Sequence, residues 1–279
     1  MATPVPTVKL NNGVEIPQLG FGVFQVKPRE TAEAVTTALQ VGYRHIDTAE
    51  MYGNEKEVGQ AIARSGIDPA EVFVTSKLNN NNHSFDVALR AFDQTLTDLA
   101  TEQIDLFLIH WPLPSIGDFV ETWKALERVY AEGRARSIGV SNFQAHHLSR
   151  LFDETEVVPA VNQIEVHPYF AQGELLAFDA EHGIVTEAWA PLVQGAVLNE
   201  PVVVDVAQTY GKSPAQVVLR WHIQRHSIVF PKSVTPKRIQ ENFEIFDFEL
   251  SDADMERISG LNRDERTGPD PDTFDYVPR

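Results

Sequence analysis

Short runs of aliphatic and β-branched residues alternate along the chain with longer stretches whose apolar positions recur at helical spacing. The short runs fall at residues 18–22, 44–47, 72–77, 104–110, 137–141, 160–165, 184–188 and 228–230. They are largely apolar, as strands of a buried parallel sheet should be. The stretches 30–40, 55–65, 85–99, 119–132 and 214–225 read as helices. Ser213-Pro214-Ala215-Gln216 sets an N-cap serine, a first-turn proline and a capping glutamine in order. Thr235-Pro236 and Ser251-Asp252 mark two further helix starts, and Gly42 and Gly133 stand where helices should stop. Strands alternating with helices predict a parallel sheet, and eight is the number that closes a (β/α)8 barrel.

The two ends of the chain depart from this rhythm. Val8-Lys9-Leu10 and Val14-Glu15-Ile16 flank Asn11-Asn12-Gly13, a hairpin signal. The expectation is a small antiparallel lid over the barrel's bottom. Beyond Asn262 the chain is rich in Asp, Pro and Gly, which predicts an irregular tail draped over one barrel face.

Composition narrows the picture. The 279 residues are close to the roughly 250 of a typical barrel, so one barrel domain over residues 1–279 is expected. A net charge of −17 disfavours nucleic acid and anionic membrane surfaces as partners. With no cysteine, disulfides and thiolate metal sites are excluded, and no metal is expected. Residues 1–10 contain no signal-peptide run, and no stretch approaches the ~20 apolar residues of a membrane span. The expectation is a soluble, cytoplasmic monomer acting on a small molecule.

The informative pattern is where polar residues interrupt the strands. Asp47 closes Arg44-His45-Ile46-Asp47, Lys77 closes the third run and His110 the fourth. Ser141 and Asn142 end the fifth, Asn162 and Gln163 lie in the sixth, Trp189 follows the seventh and Lys232 the eighth. In a barrel all these ends point to one mouth, where active sites sit. A lysine or histidine ending an apolar strand is costly unless paired. Structural ion pairs explain one or two such endings, but not four in succession with Tyr52 in the loop after the second.

These residues suit the reduction of a carbonyl, which needs a hydride at carbon and a proton at oxygen. A tyrosine, with an ordinary pKa of about 10, becomes a useful acid near neutrality if a cation stabilises its anion. Lys77 is the candidate cation, Asp47 would hold that lysine, and His110 would align the carbonyl oxygen. A lone His110 would be read as a satisfied core histidine; beside the other three it is read as functional. His146-His147 is the contrast, read as solvated surface because adjacent residues do not share a helix face. His45 and His167 are expected to be structural.

The segments Gly42-Tyr43-Arg44-His45-Ile46-Asp47-Thr48-Ala49 and Tyr52-Gly53-Asn54-Glu55 resemble the signature of the aldo-keto reductase family. So do Ile138-Gly139-Val140-Ser141-Asn142-Phe143, Asn162-Gln163-Ile164-Glu165-Val166-His167-Pro168 and Phe230-Pro231-Lys232-Ser233. The resemblance runs in order from about Val8 to Leu261 and is greatest to the prokaryotic branch holding 2,5-diketo-D-gluconate reductases. It implies NADP(H)-dependent reduction of small aldehydes and ketones, α-dicarbonyls and keto sugars included, with Tyr52, Lys77, Asp47 and His110 as the catalytic set.

No Rossmann fingerprint is present, since Gly20-Phe21-Gly22 lacks the third glycine and the strand–helix context. A dinucleotide must therefore bind the barrel mouth. Barrel phosphate sites usually lie beyond strands seven and eight. There the chain offers Pro191, Leu192, Gln194 and Gly195, then Lys232, Ser233, Val234 and Arg238. Lys232 and Arg238 suit a 2′-phosphate; as mere decoration of a helix start, Arg238 would oppose the helix dipole. The resemblance assigns that lysine and arginine to the NADP phosphate and Asn242 to adenine. It makes Ser141, Asn162 and Gln163 candidates for the nicotinamide amide, counts Asn142 among the cofactor-binding residues, and places Gly22 and Val23 near the nicotinamide ribose. Trp189 stands where the family commonly stacks a tyrosine.

Phe24, Tyr52, His110, Trp111 and Trp189 would line an aromatic pocket, with Phe24 and Trp111 as the main substrate contacts. Asn79 replaces an aromatic common in the family, which would make that wall more polar and its loop looser; equally, the run Asn79-Asn80-Asn81-Asn82 is a flexible loop without a role in selectivity. Two rival functions remain at this point. One is a nucleotide-binding regulator without useful turnover, since the family also includes channel-associated subunits and lens proteins. The other is an unrelated barrel hydrolase using Asp47 and Glu165.

Overall fold

The computed structural model describes residues 4–116 and 118–278; Met1–Thr3, Gly117 and Arg279 of the expected 1–279 domain lie outside them. An antiparallel hairpin, β1 (Thr7–Lys9) and β2 (Glu15–Pro17), comes first. Eight parallel strands follow: β3 (Phe21–Gly22), β4 (His45–Asp47), β5 (Phe73–Leu78), β6 (Ile104–Ile109), β7 (Ala135–Ser141), β8 (Val161–Glu165), β9 (Val185–Trp189) and β10 (Ile228–Val229). Each strand pairs with the next in chain order. A parallel bridge from Leu19 to Val229 joins the first to the last, with Gly20 N donating to Val229 O at 2.8 Å. The sheet therefore closes on itself, as a (β/α)8 barrel does. Gly22 permits the closure: a Cβ there would lie 2.8 Å from Phe230 O.

Between and after the strands lie α1 (Pro28–Val41), α2 (Glu55–Arg64), α3 (Phe85–Leu99), α4 (Phe119–Ala131), α5 (Ala145–Glu154), α6 (Gly173–Glu181), α7 (Pro201–Tyr210), α8 (Pro214–Gln224), α9 (Pro236–Phe243) and α10 (Asp252–Ser259). The expected helix starts are in place, although Thr235 makes no side-chain cap to α9. Ser213 Oγ accepts from Gln216 N while Gln216 Oε1 accepts from Ser213 N, a complete capping box. Ser251 Oγ accepts from Asp254 N. α1 ends at Gly42, whose φ of +130° few other residues adopt. Between sheet and helices, Val35, Leu39, Val58, Phe92, Phe107, Trp123, Ile138 and Leu148 belong to one continuous core, with Phe92 edge-on to Phe107 at 5.0 Å.

The hairpin seals one end. Leu10 N donates to Val14 O across the turn, and Gly13 takes φ +87°. Leu10 and Ile16 then pack on Phe73, Leu106, Val161 and Ile228 from the barrel strands. Asn11 and Asn12 donate to the backbone carbonyls of Pro159 and Arg136, stapling the turn to the loop before β8 and to the start of β7.

The other end receives the tail. Thr267 N and Gly268 N donate to Glu165 on β8 at 2.7 and 3.0 Å. Phe274 packs on Trp111 at 4.3 Å between centroids, and Tyr276 O accepts from Asn80 at 2.8 Å. The irregular tail thus crosses the C-terminal ends of the strands.

Candidate active site

Successive residues of a strand point to opposite faces, so each strand end offers alternate side chains to the barrel interior. On β5 this separates Ser76, bonded to Glu55 of α2, from Lys77, which turns inward. Lys77 is fully buried. Its Nζ donates to Asp47 Oδ1 and Oδ2 at 2.8 and 2.9 Å, to Thr48 O at 2.8 Å and to Tyr52 OH at 3.3 Å. Burial works against the ammonium, but Asp47 and then Tyr52 outweigh it and hold the Lys77 pKa above its ordinary value. Burial raises the Asp47 carboxyl and Lys77 lowers it; with two contacts under 3 Å the pair is ionic.

Tyr52 sits on a short 3₁₀ turn, Glu50–Tyr52, directly after β4. Gly53 ends that turn at φ +65°. Asn54, wholly buried, accepts from Thr48 Oγ1 at 2.9 Å and donates to Val23 O and Val26 O at 3.1 and 3.2 Å. The turn is therefore tied to the loop before α1. Glu50 braces it from the other side, accepting from Asn79 N and Asn82 Nδ2. Phe24 lies 5.1 Å from the Tyr52 ring and His110 5.8 Å, nearly edge-on.

The acidity of Tyr52 differs from the expectation. Burial pushes the phenol above its usual range, Lys77 pulls it down and Asp47 adds to the rise; the net direction is upward. The proton is thus retained on Tyr52 at neutral pH, as a donor requires, and Lys77 stands ready for the anion left after transfer. His110 is held neutral, its pKa pushed well down by burial and then by Lys77. Its Nδ1 is buried with no partner among the described residues, so it is not a satisfied core histidine.

Ser141, Asn142, Gln163 and Trp189 meet beside this group. Asn142 takes φ +64°, and its Nδ2 donates to His110 O and Ser141 Oγ while its Oδ1 accepts from Trp189 Nε1 at 2.8 Å. Gln163 Nε2 donates to Asp47 Oδ2 at 2.8 Å and to Glu187 Oε2 at 2.7 Å. Asn162 is not brought to the mouth. One residue before Gln163, it faces the other side of the sheet, where its amide donates to Phe143 O at 3.0 Å and to Asp179 on α6 at 3.3 Å. Its expected place at a nicotinamide amide is withdrawn for that reason.

Pro191, Leu192, Gln194 and Gly195 follow β9, where Gln194 and Gly195 take φ +52° and +96°. Lys232, Ser233 and Val234 follow β10, with Arg238 in the first turn of α9 and Asn242 buried near its end. Ser233 Oγ accepts from Thr235 N just before the helix. Lys232 and Arg238 are exposed and make no salt bridge among the described residues. Two unmatched cations in a chain of net charge −17, next to a helix N-terminus, fit a phosphate group.

Other expectations change. The asparagine run is not loose: Asn79 Oδ1 caps its own turn by accepting from Asn80 N, and Asn80 and Asn82 are bound to Tyr276 and Glu50. Trp111 is 7% exposed, covered by Phe274. His147 is buried rather than solvated, because its Nδ1 accepts from Gln144 N and caps α5. Burial and then His146 hold it down to about 4. The proton of this neutral ring therefore sits on Nε2, so the grouping of His146, His147 and Asp272 offers no lone pair there to a metal. His45 is structural, placed against Pro17 O and Thr75 Oγ1. Glu165 is occupied by His167, Thr267 and Gly268; burial would raise its carboxyl, but these donors outweigh burial and lower it. It is an anchor for the tail and its lone pairs are spent, which removes the hydrolase pairing with Asp47. Asn54, Glu50 and Glu187 went unread as site residues. For Glu187 a signal existed, a carboxyl inside the apolar run Val185-Thr186-Glu187-Ala188.

The model of the aldo/keto reductase family matches residues 18–263. A protein of Mycobacterium sp. (strain KMS) named aldo-keto reductase is 52% identical over 272 residues, 98% of this chain and 99% of the relative. Methylglyoxal reductase DkgA of Escherichia coli (strain K12) is 47% identical, over 98% of this chain and 99% of its own. The solved structure of a Gox0644 mutant in complex with NADPH superposes with a TM-score of 0.95 at 45% identity, covering 98% of this chain and all of the other.

Proposed function

This chain belongs to the aldo/keto reductase family, and on that premise we propose that it reduces small aldehydes and ketones to alcohols with NADPH, Tyr52 giving the proton to the carbonyl oxygen. The observation that carries the reading is the buried Lys77 Nζ, held by Asp47 and Thr48 O with its remaining contact on Tyr52 OH. NADPH, when bound, supplies the hydride. Tyr52 donates the phenolic proton, and Lys77 stabilises the phenolate by a contact already made. Asp47 keeps Lys77 charged and aimed. His110, neutral and 5.8 Å from the Tyr52 ring, offers an N–H to the same oxygen.

Ser141, Asn142 and Gln163 would hold the nicotinamide carboxamide, and Trp189, pinned by Asn142, would present its face to the ring. Gly22 and Val23 would flank the adjoining ribose. Pro191, Leu192, Gln194 and Gly195 would run beside the diphosphate. Lys232, Ser233, Val234 and Arg238 would receive the 2′-phosphate, with Asn242 at adenine. The fit rests on the unmatched cations, and a relative structure in complex with NADPH supports it.

Phe24, Trp111 and His110 would face the substrate. The name of one relative, methylglyoxal reductase, supports α-dicarbonyls as the substrate class, with keto sugars such as 2,5-diketo-D-gluconate as a further candidate. We read residues 1–279 as one barrel domain working as a cytoplasmic monomer. No helix among the described residues is long and apolar enough to cross a membrane. NADPH oxidation with methylglyoxal and a panel of aldehydes, ketones and keto sugars tests the reading. Turnover in the wild type with equal turnover in Tyr52→Phe would overturn the mechanism.

A further inference from the structure

Inside the barrel lies a carboxyl group that the proposed chemistry does not use. Glu187 of β9 is fully buried and stands in register beside Gln163 of β8. Its Oε2 accepts from Gln163 Nε2 at 2.7 Å, and its Oε1 is buried with no partner among the described residues. Lys77 is no mate for it, because its ammonium is spent on Asp47, Thr48 and Tyr52. Burial, and then the neighbouring Asp47, push the Glu187 carboxyl up to about 8, so at neutral pH it is an uncharged acid. What it offers is an acceptor to Gln163.

A side-chain amide nitrogen has two hydrogens. In Gln163 both are taken, one by Asp47 at 2.8 Å and one by Glu187 at 2.7 Å. Asp47, an ionised carboxylate that can only accept, fixes that atom as nitrogen; the second hydrogen then goes to Glu187 Oε2, and Gln163 Oε1 must point away from both. Oε1 accepts no hydrogen bond among the described residues. With Asp47 alone, the amide could pivot on that single bond and carry Oε1 off its position. Two anchors from different strands leave one orientation.

We propose that Glu187 is a positioning residue for cofactor recognition: together with Asp47 it pins the Gln163 amide so that Gln163 offers its carbonyl oxygen to the N–H of the nicotinamide carboxamide. The proposal rests on the reading of Gln163 as a nicotinamide ligand. It makes the site selective for a donor at that point of the ring substituent.

The test compares binding of NADPH with its 3-acetylpyridine analogue, which keeps the carbonyl but has no carboxamide N–H. Quenching of tryptophan fluorescence reads both dissociation constants. One neutral hydrogen bond corresponds to about 3- to 10-fold, so the wild type should prefer NADPH by roughly that factor. Glu187→Leu should bring the ratio close to one, because an amide held at one point only no longer keeps Oε1 in place. Glu187→Gln keeps an oxygen acceptor without charge and should keep the wild-type ratio. Where the leucine variant does not fold, Glu187→Ala carries the same expectation. A ratio indifferent to all three substitutions overturns the role of Glu187 while leaving the cofactor reading intact. A wild type that binds neither dinucleotide overturns the cofactor reading instead.

Discussion

At the bottom of the barrel, Phe73, Leu106, Val161 and Ile228 meet Leu10 and Ile16 of the hairpin in a buried apolar layer. At the top, the same sheet presents Asp47, Lys77, His110, Gln163 and Glu187, all buried or nearly so and all polar. The bottom is held by many weak contacts, each replaceable by its neighbours. The top is held by few bonds, each with one possible partner: Lys77 has three acceptor groups for three protons, and Gln163 two for two. Removing a side chain from the first layer should therefore show in stability, and from the second in chemistry.

The largest separation is expected at Tyr52. Tyr52→Phe keeps the ring against Phe24 and His110 but removes the proton, and should lower kcat by about 10²–10⁴-fold with little change in Tm. Steady-state kinetics beside thermal unfolding reads both. A Tm that falls together with kcat would break the contrast.

Leu106→Ala is the mirror experiment. It opens a cavity in the bottom layer and should cost about 2–5 kcal/mol of stability. Turnover per folded molecule should stay at the wild-type level, as urea unfolding and active-site titration would show.

Lys232→Ala lies outside both layers and bears on the cofactor alone. Loss of a charge-assisted hydrogen bond should weaken NADPH binding by about 10- to 100-fold and leave NADH nearly unchanged. Equal losses for the two would show that Lys232 does not read the 2′-phosphate.

The smallest effect sharpens the polar layer. The Glu187 carboxyl is raised from 4.5 to about 8, so between those values the folded state keeps a proton that the unfolded chain has lost. Its contribution to stability is therefore complete below the lower value and is lost as pH rises through the upper one. Glu187→Gln removes this titration. Its Tm should exceed wild type at pH 8, with the gap narrowing toward pH 5. A constant gap across the range would assign the difference to packing.

How much of this was legible depended on the distance over which each feature is written. Strand ends at Asp47, Lys77 and His110 were readable because an apolar run interrupted by a charge is a local signal. The capping box at Ser213 and Gln216 and the turn at Gly13 are local too. The order of the strands followed from their alternation with helices. Asn162 and Gln163 were read as equals, although strand alternation allows only one of two neighbours to face inward. Here the period of the pleat is by itself enough to separate the two amides. Asn80 shows the opposite case: its partner, Tyr276 O, is 196 residues away, and no local pattern announces it. His147 was misread because its ring caps its own helix, a role more often filled by a short polar side chain. The sign of the Tyr52 shift needed the depth of burial, which only the assembled barrel supplies.

The bridge from Leu19 to Val229 has a bearing on how the molecule comes to exist. It brings together the first and last strands of the sheet, and with it Gly22 is set against Phe230. Pairings so remote in sequence form late and slowly, since the closure entropy must be met before the contact is made. A nascent chain lacking β10 leaves β3 with an unpaired edge, able to accept a strand from another molecule. The last short strand, only Ile228–Val229, is thus the step that turns an aggregation-prone open sheet into a barrel with no edge at all.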